Sequence, residues 1–95
     1  MSTDADNRPN KMFMPSVEDV RAYLKKNRMT GSAAARRLYL SGANQVRSYT
    51  GGRQPRRMSG ARWFVLAAHE VLDEHQIAEI EKKMHENIKK KLTSL

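Results

Sequence analysis

No cysteine occurs among the 95 residues. That excludes disulfide scaffolds, thiolate zinc sites and thiol nucleophiles. Long apolar runs are missing as well: the longest, Trp63 to Ala68, falls far short of the about 20 residues needed to span a bilayer. Asp4 and Asp6 stand where the cationic start of a secretory signal would be, and no apolar stretch follows. A small, soluble, basic protein of a reducing cytoplasm is therefore expected. No glycine-rich phosphate loop and no Ser/His/Asp set is visible, so no enzyme is expected. His69-Glu70 is followed by Asp73 where a zinc protease carries its second histidine. His69, His75 and His85 show only ordinary helical spacing, and no metal or cofactor is expected.

The most informative absence is that of acids from the middle of the chain. Residues 20–69 contain eleven Lys and Arg, mostly arginine, and no carboxylate, so their charge is +11. Residues 1–19 carry −2 and residues 70–95 carry −1, which accounts for the net +8. A merely soluble basic surface would intersperse glutamates. Fifty residues without one form an electrostatic footprint for a polyanion. Arginine suits bidentate contacts to phosphate or guanine better than lysine does.

With 95 residues and 10.9 kDa the chain fits one domain that buries about 60–65% of its unfolded surface. The periodicity is helical throughout, without strand alternation or internal repeat. Residues 1–14 read as a polar, flexible tail ending in apolar Met12, Phe13 and Met14, with Met14 placed to staple onto the first helix. Ser16 and Asp19 form a capping box that opens this helix, which carries Val17, Val20, Tyr23 and Leu24 and stops near Asn27. Thr30 or Ser32 caps a second helix built on Ala33-Ala34-Ala35, with Leu38 and Leu40 continuing its apolar side. A third helix is expected over residues 43–50, with Val46 and Tyr49 inward, and Gly51-Gly52 ends it. After the basic loop 53–57, Ser59 caps a fourth helix. Ala61, Trp63 to Ala68, Val71 and Leu72 make it apolar nearly all round, so it is expected to be the central and most buried element, with Trp63 and Phe64 in the core. Asp73 and Gln76 form another capping signal. They open a long amphipathic helix from residue 74 to about residue 93, with Glu79–Lys83 and Glu86–Lys90 as i, i+4 pairs.

Two short helices joined by a tight turn, the second ending on Val46-x-x-Tyr49, form a helix-turn-helix pattern. The run Met29 to Ser41 resembles the first helix and turn of small phage and plasmid lambda-repressor/Cro-like (Xre-type) transcriptional regulators. Val46 to Gly52 is similar to the end of their recognition helix, and Pro55 followed by Ser59 to Phe64 to the helix after it. The resemblance covers about residues 16–72. It implies an all-α, four- to five-helix helix-turn-helix domain over residues 15–72 that binds double-stranded DNA. Three departures stand out. Gly31 sits where such proteins often carry a phosphate-binding glutamine, Tyr39 sits where glycine is usual, and the turn is one residue longer.

Geometry suggests the roles. With Val46 and Tyr49 inward, Asn44, Gln45, Arg47 and Ser48 face outward and can reach base edges in the major groove. Asn44 has a second reading, as the cap of its own helix. Thr50, Gly52, Arg53, Arg56 and Arg57 are placed to hold phosphate after this helix, and Ser32, Arg36 and Arg37 to hold the backbone from the preceding one.

Residues 73–95 carry an apolar stripe of Ile77, Ile80, Met84, Ile88 and Leu92, extending to Leu95. Its simplest use is a homodimer spanning two half-sites of a palindromic operator; the other use is packing back on its own domain. An antiparallel pair sets the acidic start of one helix against the lysine-rich end of its mate. The expected partners are thus operator DNA and a second copy, with no membrane and no small-molecule effector. Two other readings remain. One is an antitoxin-like autoregulator whose last helix captures another protein. The other is an RNA-binding protein, which fits less well because no aromatic pair is left among the bases for stacking.

Overall fold

The computed structural model describes residues 13–94, with side chains as far as Ile88. The tail over residues 1–11, Met12 and Leu95 lie outside the described residues, as do the side chains of Lys90 and Leu92. The chain is all-α. Five helices follow one another: α1 (Val17–Lys26), α2 (Gly31–Arg37), α3 (Ala43–Thr50), α4 (Gly60–Val71) and α5 (Glu74–Ser94). Among the described residues there is no strand, and no helix is long and apolar enough to cross a membrane.

Short polar side chains start these helices by accepting otherwise unpaired backbone N–H groups. Ser16 Oγ accepts from the Asp19 N–H (3.1 Å), and the Ser16 N–H donates to the Asp19 carboxylate (2.9 Å). This reciprocal bonding holds the Asp19 carboxyl below its usual pKa range. Thr30, rather than Ser32, caps α2 through the Ala33 N–H (3.1 Å). Ser59 caps α4 (3.2 Å), and Asp73 and Gln76 bond each other reciprocally at the start of α5. Asn44 does not cap α3. Gly42 occupies that position without a side chain to offer, and Gln45 Oε1 closes the helix start by accepting from the Ser41 N–H (2.9 Å).

Both α1 and α2 end in Schellman motifs. The Arg28 N–H donates to the Lys25 carbonyl and the Met29 N–H to the Leu24 carbonyl. Tyr39 and Leu40 repeat this with Arg36 and Ala35. Such a motif needs one residue in the left-handed region, which favours glycine. Here Arg28 (φ 52°) and Tyr39 (φ 58°) take that conformation. In the turn between α2 and α3 the left-handed position is therefore held by tyrosine where glycine would be unstrained, and α2 stops at Arg37, leaving Leu38 and Leu40 to pack from the turn.

The core has two adjoining parts. Val20, Tyr23, Leu38, Tyr49, Met58 and Leu66 form the larger, and Ala34, Ala35 and Val46 the smaller. The small alanines let α2 and α3 approach closely, and α3 packs against α1 as well. The expectation that α4 is the most buried helix fails. Leu66 is fully buried and Trp63 half-buried, but Phe64 is 73% and Val71 81% exposed. Three helices and the 53–58 loop already enclose this small core, so only one side of α4 can face it. The rest of its apolar surface stays outside. The expected Glu79–Lys83 pair is not formed either; Lys83 pairs with Glu86 at 3.6 Å.

The left-handed residues yield a stability prediction. A non-glycine residue there costs about 1–2 kcal/mol, so Arg28→Gly is expected to stabilise the fold by about 1 kcal/mol. For a domain of this size that raises Tm by about 4–8 °C. Tyr39→Gly will gain less, because it also removes the bond from Tyr39 Oη to the Glu81 carboxylate (2.7 Å). Thermal melts of both variants beside wild type check the ranking.

Candidate functional site

Helix α3 alternates between buried and exposed positions as its sequence requires. Val46 and Tyr49, one helical turn apart, are each only 2% exposed. Asn44, Gln45 and Arg47 are exposed, and Ser48 is half-buried. The four residues expected to read bases thus share the outer side of α3. Gln45 also has the local task described above. Thr50 Oγ1 donates back to the Arg47 carbonyl (3.1 Å), a bond that favours the helix end over an outside ligand.

The end of α3 is set by backbone freedom. Gly51 (φ 140°) and Gly52 (φ 67°) both lie in the region that favours glycine. A Cβ on Gly51 would stand 3.1 Å from Arg21 Nη2. Arg21 itself donates from Nε to the Thr50 carbonyl (2.7 Å), so a cation sits at the negative end of the α3 dipole. The loop then turns back on α3, where the Arg56 N–H donates to the Ser48 carbonyl (2.9 Å).

The arginines expected to hold phosphate divide into two sets. Arg36 and Arg53 are exposed, as is Arg47 on α3, and their guanidiniums have no partner among the described residues. Ser32 is exposed on the first turn of α2. The others donate hydrogen bonds within the fold, although Arg56 and Arg57 are exposed as well. Arg57 donates to the carbonyls of Met14 (2.6 Å) and Pro15 (3.3 Å), tying the loop to the segment before α1. Arg37 donates to Tyr23 Oη (2.7 Å). It lies in a hollow with His69, Leu72, Ile77 and Glu81, not among the exposed residues of α3. Arg56 donates to Tyr49 Oη (3.1 Å) and lies 5.5 Å from the centre of the Tyr49 ring.

Two participants escaped the sequence reading. Arg62 on α4 donates to the same Tyr49 Oη (2.6 Å), and Arg21 holds the end of α3. Both belong to the acid-free stretch, which was the available signal, but only the fold brings them to α3. Among the described residues no arginine is ion-paired to a carboxylate; the ion pairs are Lys26–Glu70 (3.0 Å) and Lys83–Glu86. Of the eleven bases expected from composition, Lys26 alone is ion-paired among the described residues.

The stripe of α5 is largely open. Ile77 is half-buried against the hollow beside Leu72, while Ile80, Met84 and Ile88 are 45%, 47% and 58% exposed. No family model, no curated protein and no solved structure matches the chain.

One pH dependence follows from the hollow beside α5. Burial, reinforced by the charge of Arg37 and opposed by Glu81, lowers the His69 pKa below the ordinary histidine value. The unfolded chain then binds the proton more readily, so stability is full above about pH 6.5 and falls as the pH drops below it. Asp19 and Glu70, both held low by hydrogen bonds, lose stability in the same direction but near and below about pH 4. Melting curves between pH 8 and pH 3 will show two steps, and His69→Gln will remove only the upper one.

Proposed function

We propose that the chain is a sequence-specific double-stranded-DNA-binding transcriptional regulator, a repressor that acts as a cytoplasmic homodimer on a two-half-site operator. It is neither an enzyme nor dependent on a cofactor. The observation that carries this reading is the outer side of α3. Asn44, Gln45 and Arg47 stand exposed on a short helix whose inner residues are locked in the core, and no arginine around them is neutralised by a carboxylate. Helix α3 would lie in the major groove, with Asn and Gln matching adenine and Arg matching guanine. Arg36 and Arg53 would hold flanking phosphates.

The homodimer rests on α5. Three large apolar side chains at helical spacing, Ile80, Met84 and Ile88, face solvent, and a second copy can cover them. Two half-sites bound together share one association cost, so the second contact forms at high effective concentration.

Selection of the full chain against a pool of random duplexes tests the DNA reading, and enrichment of a palindrome is expected. On the selected site Arg47→Ala will lose about 1–3 kcal/mol of discrimination while keeping most of its affinity for random DNA. A pool that yields no preferred sequence overturns sequence-specific recognition.

Ile80→Asp and Met84→Asp place a charge in the proposed seam. Sedimentation is expected to give monomers, with binding to the palindrome weakened by orders of magnitude and binding to one half-site almost unchanged. A wild-type chain that sediments as a monomer overturns the dimer and leaves α5 for a different protein.

A further inference from the structure

Arg56 and Arg62 meet on a single neutral oxygen. Arg56 comes from the loop after α3 and Arg62 from the first turn of α4, yet both donate to Tyr49 Oη, at 3.1 and 2.6 Å. Both guanidinium carbons also lie near the Tyr49 ring, 5.5 and 6.0 Å from its centre, within cation–π range. Two cations sharing one phenol repel each other, and no carboxylate offsets this, since neither arginine is ion-paired. A phenol oxygen has two lone pairs and no charge. The arrangement therefore positions two guanidiniums and leaves their charge unmet.

The surroundings indicate what would meet it. Arg56, Arg62 and Tyr49 line a shallow hollow together with Gln45, Ser48 and Leu40. Gln45 and Ser48 belong to the exposed side of α3, so the hollow opens beside the residues proposed to read bases. Tyr49 is buried and cannot swing away. Each guanidinium has five N–H donors, and each gives one to Tyr49. The donors that remain suit a tetrahedral oxyanion, for which arginine forks are well shaped.

We propose that Arg56 and Arg62, held together by Tyr49 Oη, form a clamp for one backbone phosphate of the bound DNA, next to the bases read by Gln45 and Ser48. This rests on the DNA-binding reading and adds to it Arg62, a residue of α4, and a shared phosphate. Tyr49 is a positioning residue; the two arginines make the contact.

The salt dependence of affinity for a random 20-base-pair duplex tests the clamp, because the log–log slope loses about 0.9 for each phosphate no longer neutralised. The R56Q/R62Q double variant of the full chain is expected to lose about 0.9 in slope, the value for one phosphate. R56K/R62K is expected to keep the slope but lose several-fold in affinity, because an ammonium lacks the fork. A loss of about 1.8 in the Gln variant means two separately held phosphates and overturns the shared clamp. An unchanged slope overturns the contact while leaving DNA binding intact. A wild-type chain with no affinity for any duplex overturns the DNA reading and the clamp with it.

A second measurement needs no variant. In nitrogen-15 spectra of the wild-type chain, the side-chain Nε–H signals of Arg56 and Arg62 are expected to shift together as the duplex is added. Inorganic phosphate at millimolar concentration is expected to leave them in place. If phosphate shifts them and the duplex does not, the hollow takes a free anion and the DNA clamp is wrong.

Discussion

The hydroxyl of Tyr23 is the point on which the arrangement of helices depends. It donates to the Leu66 carbonyl at 2.8 Å and accepts from Arg37 at 2.7 Å, which joins α1, α4 and α2 at one buried atom. The Tyr23 ring meets Trp63 edge-on, with centroids 5.8 Å apart. A buried hydroxyl without partners costs about 1–3 kcal/mol, so these helices are held to positions that satisfy it. Asn27 extends the joint by bonding the Tyr23 carbonyl and the Glu70 carboxylate. Once α4 is fixed through Leu66, its first turn is fixed too, and Arg62, one turn before Leu66, comes within reach of Tyr49 on α3. The packing of α1 against α4 thus determines which guanidiniums stand beside α3.

The two buried tyrosines show how an acid-free basic domain holds itself together. Arginines in most folds can lean on carboxylates, and here the stretch from residue 20 to residue 69 supplies none. Arg37 uses the Tyr23 hydroxyl, Arg56 and Arg62 use the Tyr49 hydroxyl, and Arg21 and Arg57 use backbone carbonyls. Neutral acceptors orient the guanidiniums without cancelling their charge. The fold keeps these five arginines in defined places and leaves their charge in being, a combination that salt bridges would defeat.

Helix boundaries were legible because they depend on local chemistry. Ser16, Asp19, Ser59, Asp73 and Gln76 bond backbone groups within three residues of themselves, and Gly51-Gly52 ends α3 through local backbone freedom. The inward pair Val46 and Tyr49 was legible for the same reason, since one helical turn separates them. What depended on three-dimensional closure was not legible. Phe64 and Val71 are as apolar as core residues, and nothing local says that a core this small has no room for them. Which arginines find a partner within the fold depends on contacts spanning up to 43 residues, such as Arg57 to Met14. Gly42 rather than Asn44 caps α3 because the helix begins at Ala43, as its spacing predicts, which leaves Asn44 already inside the first turn.

That turn shows why a residue poorly suited to its backbone can still belong where it is. Tyr39 holds a left-handed conformation that glycine would adopt without strain. Its ring is largely exposed, so burial does not explain it. What the side chain provides is the bond from Tyr39 Oη to Glu81 at 2.7 Å, which reaches from the turn before α3 to the side of α5. Ile77, four residues before Glu81, lines the hollow against Arg37 and His69, so the same stretch of α5 touches both the turn and the Tyr23 joint. Further along the stripe Ile80, Met84 and Ile88 are about half exposed. The Tyr39–Glu81 bond thus ties α5 to the turn that precedes α3, and the left-handed backbone at Tyr39 is the cost at which that tie is kept.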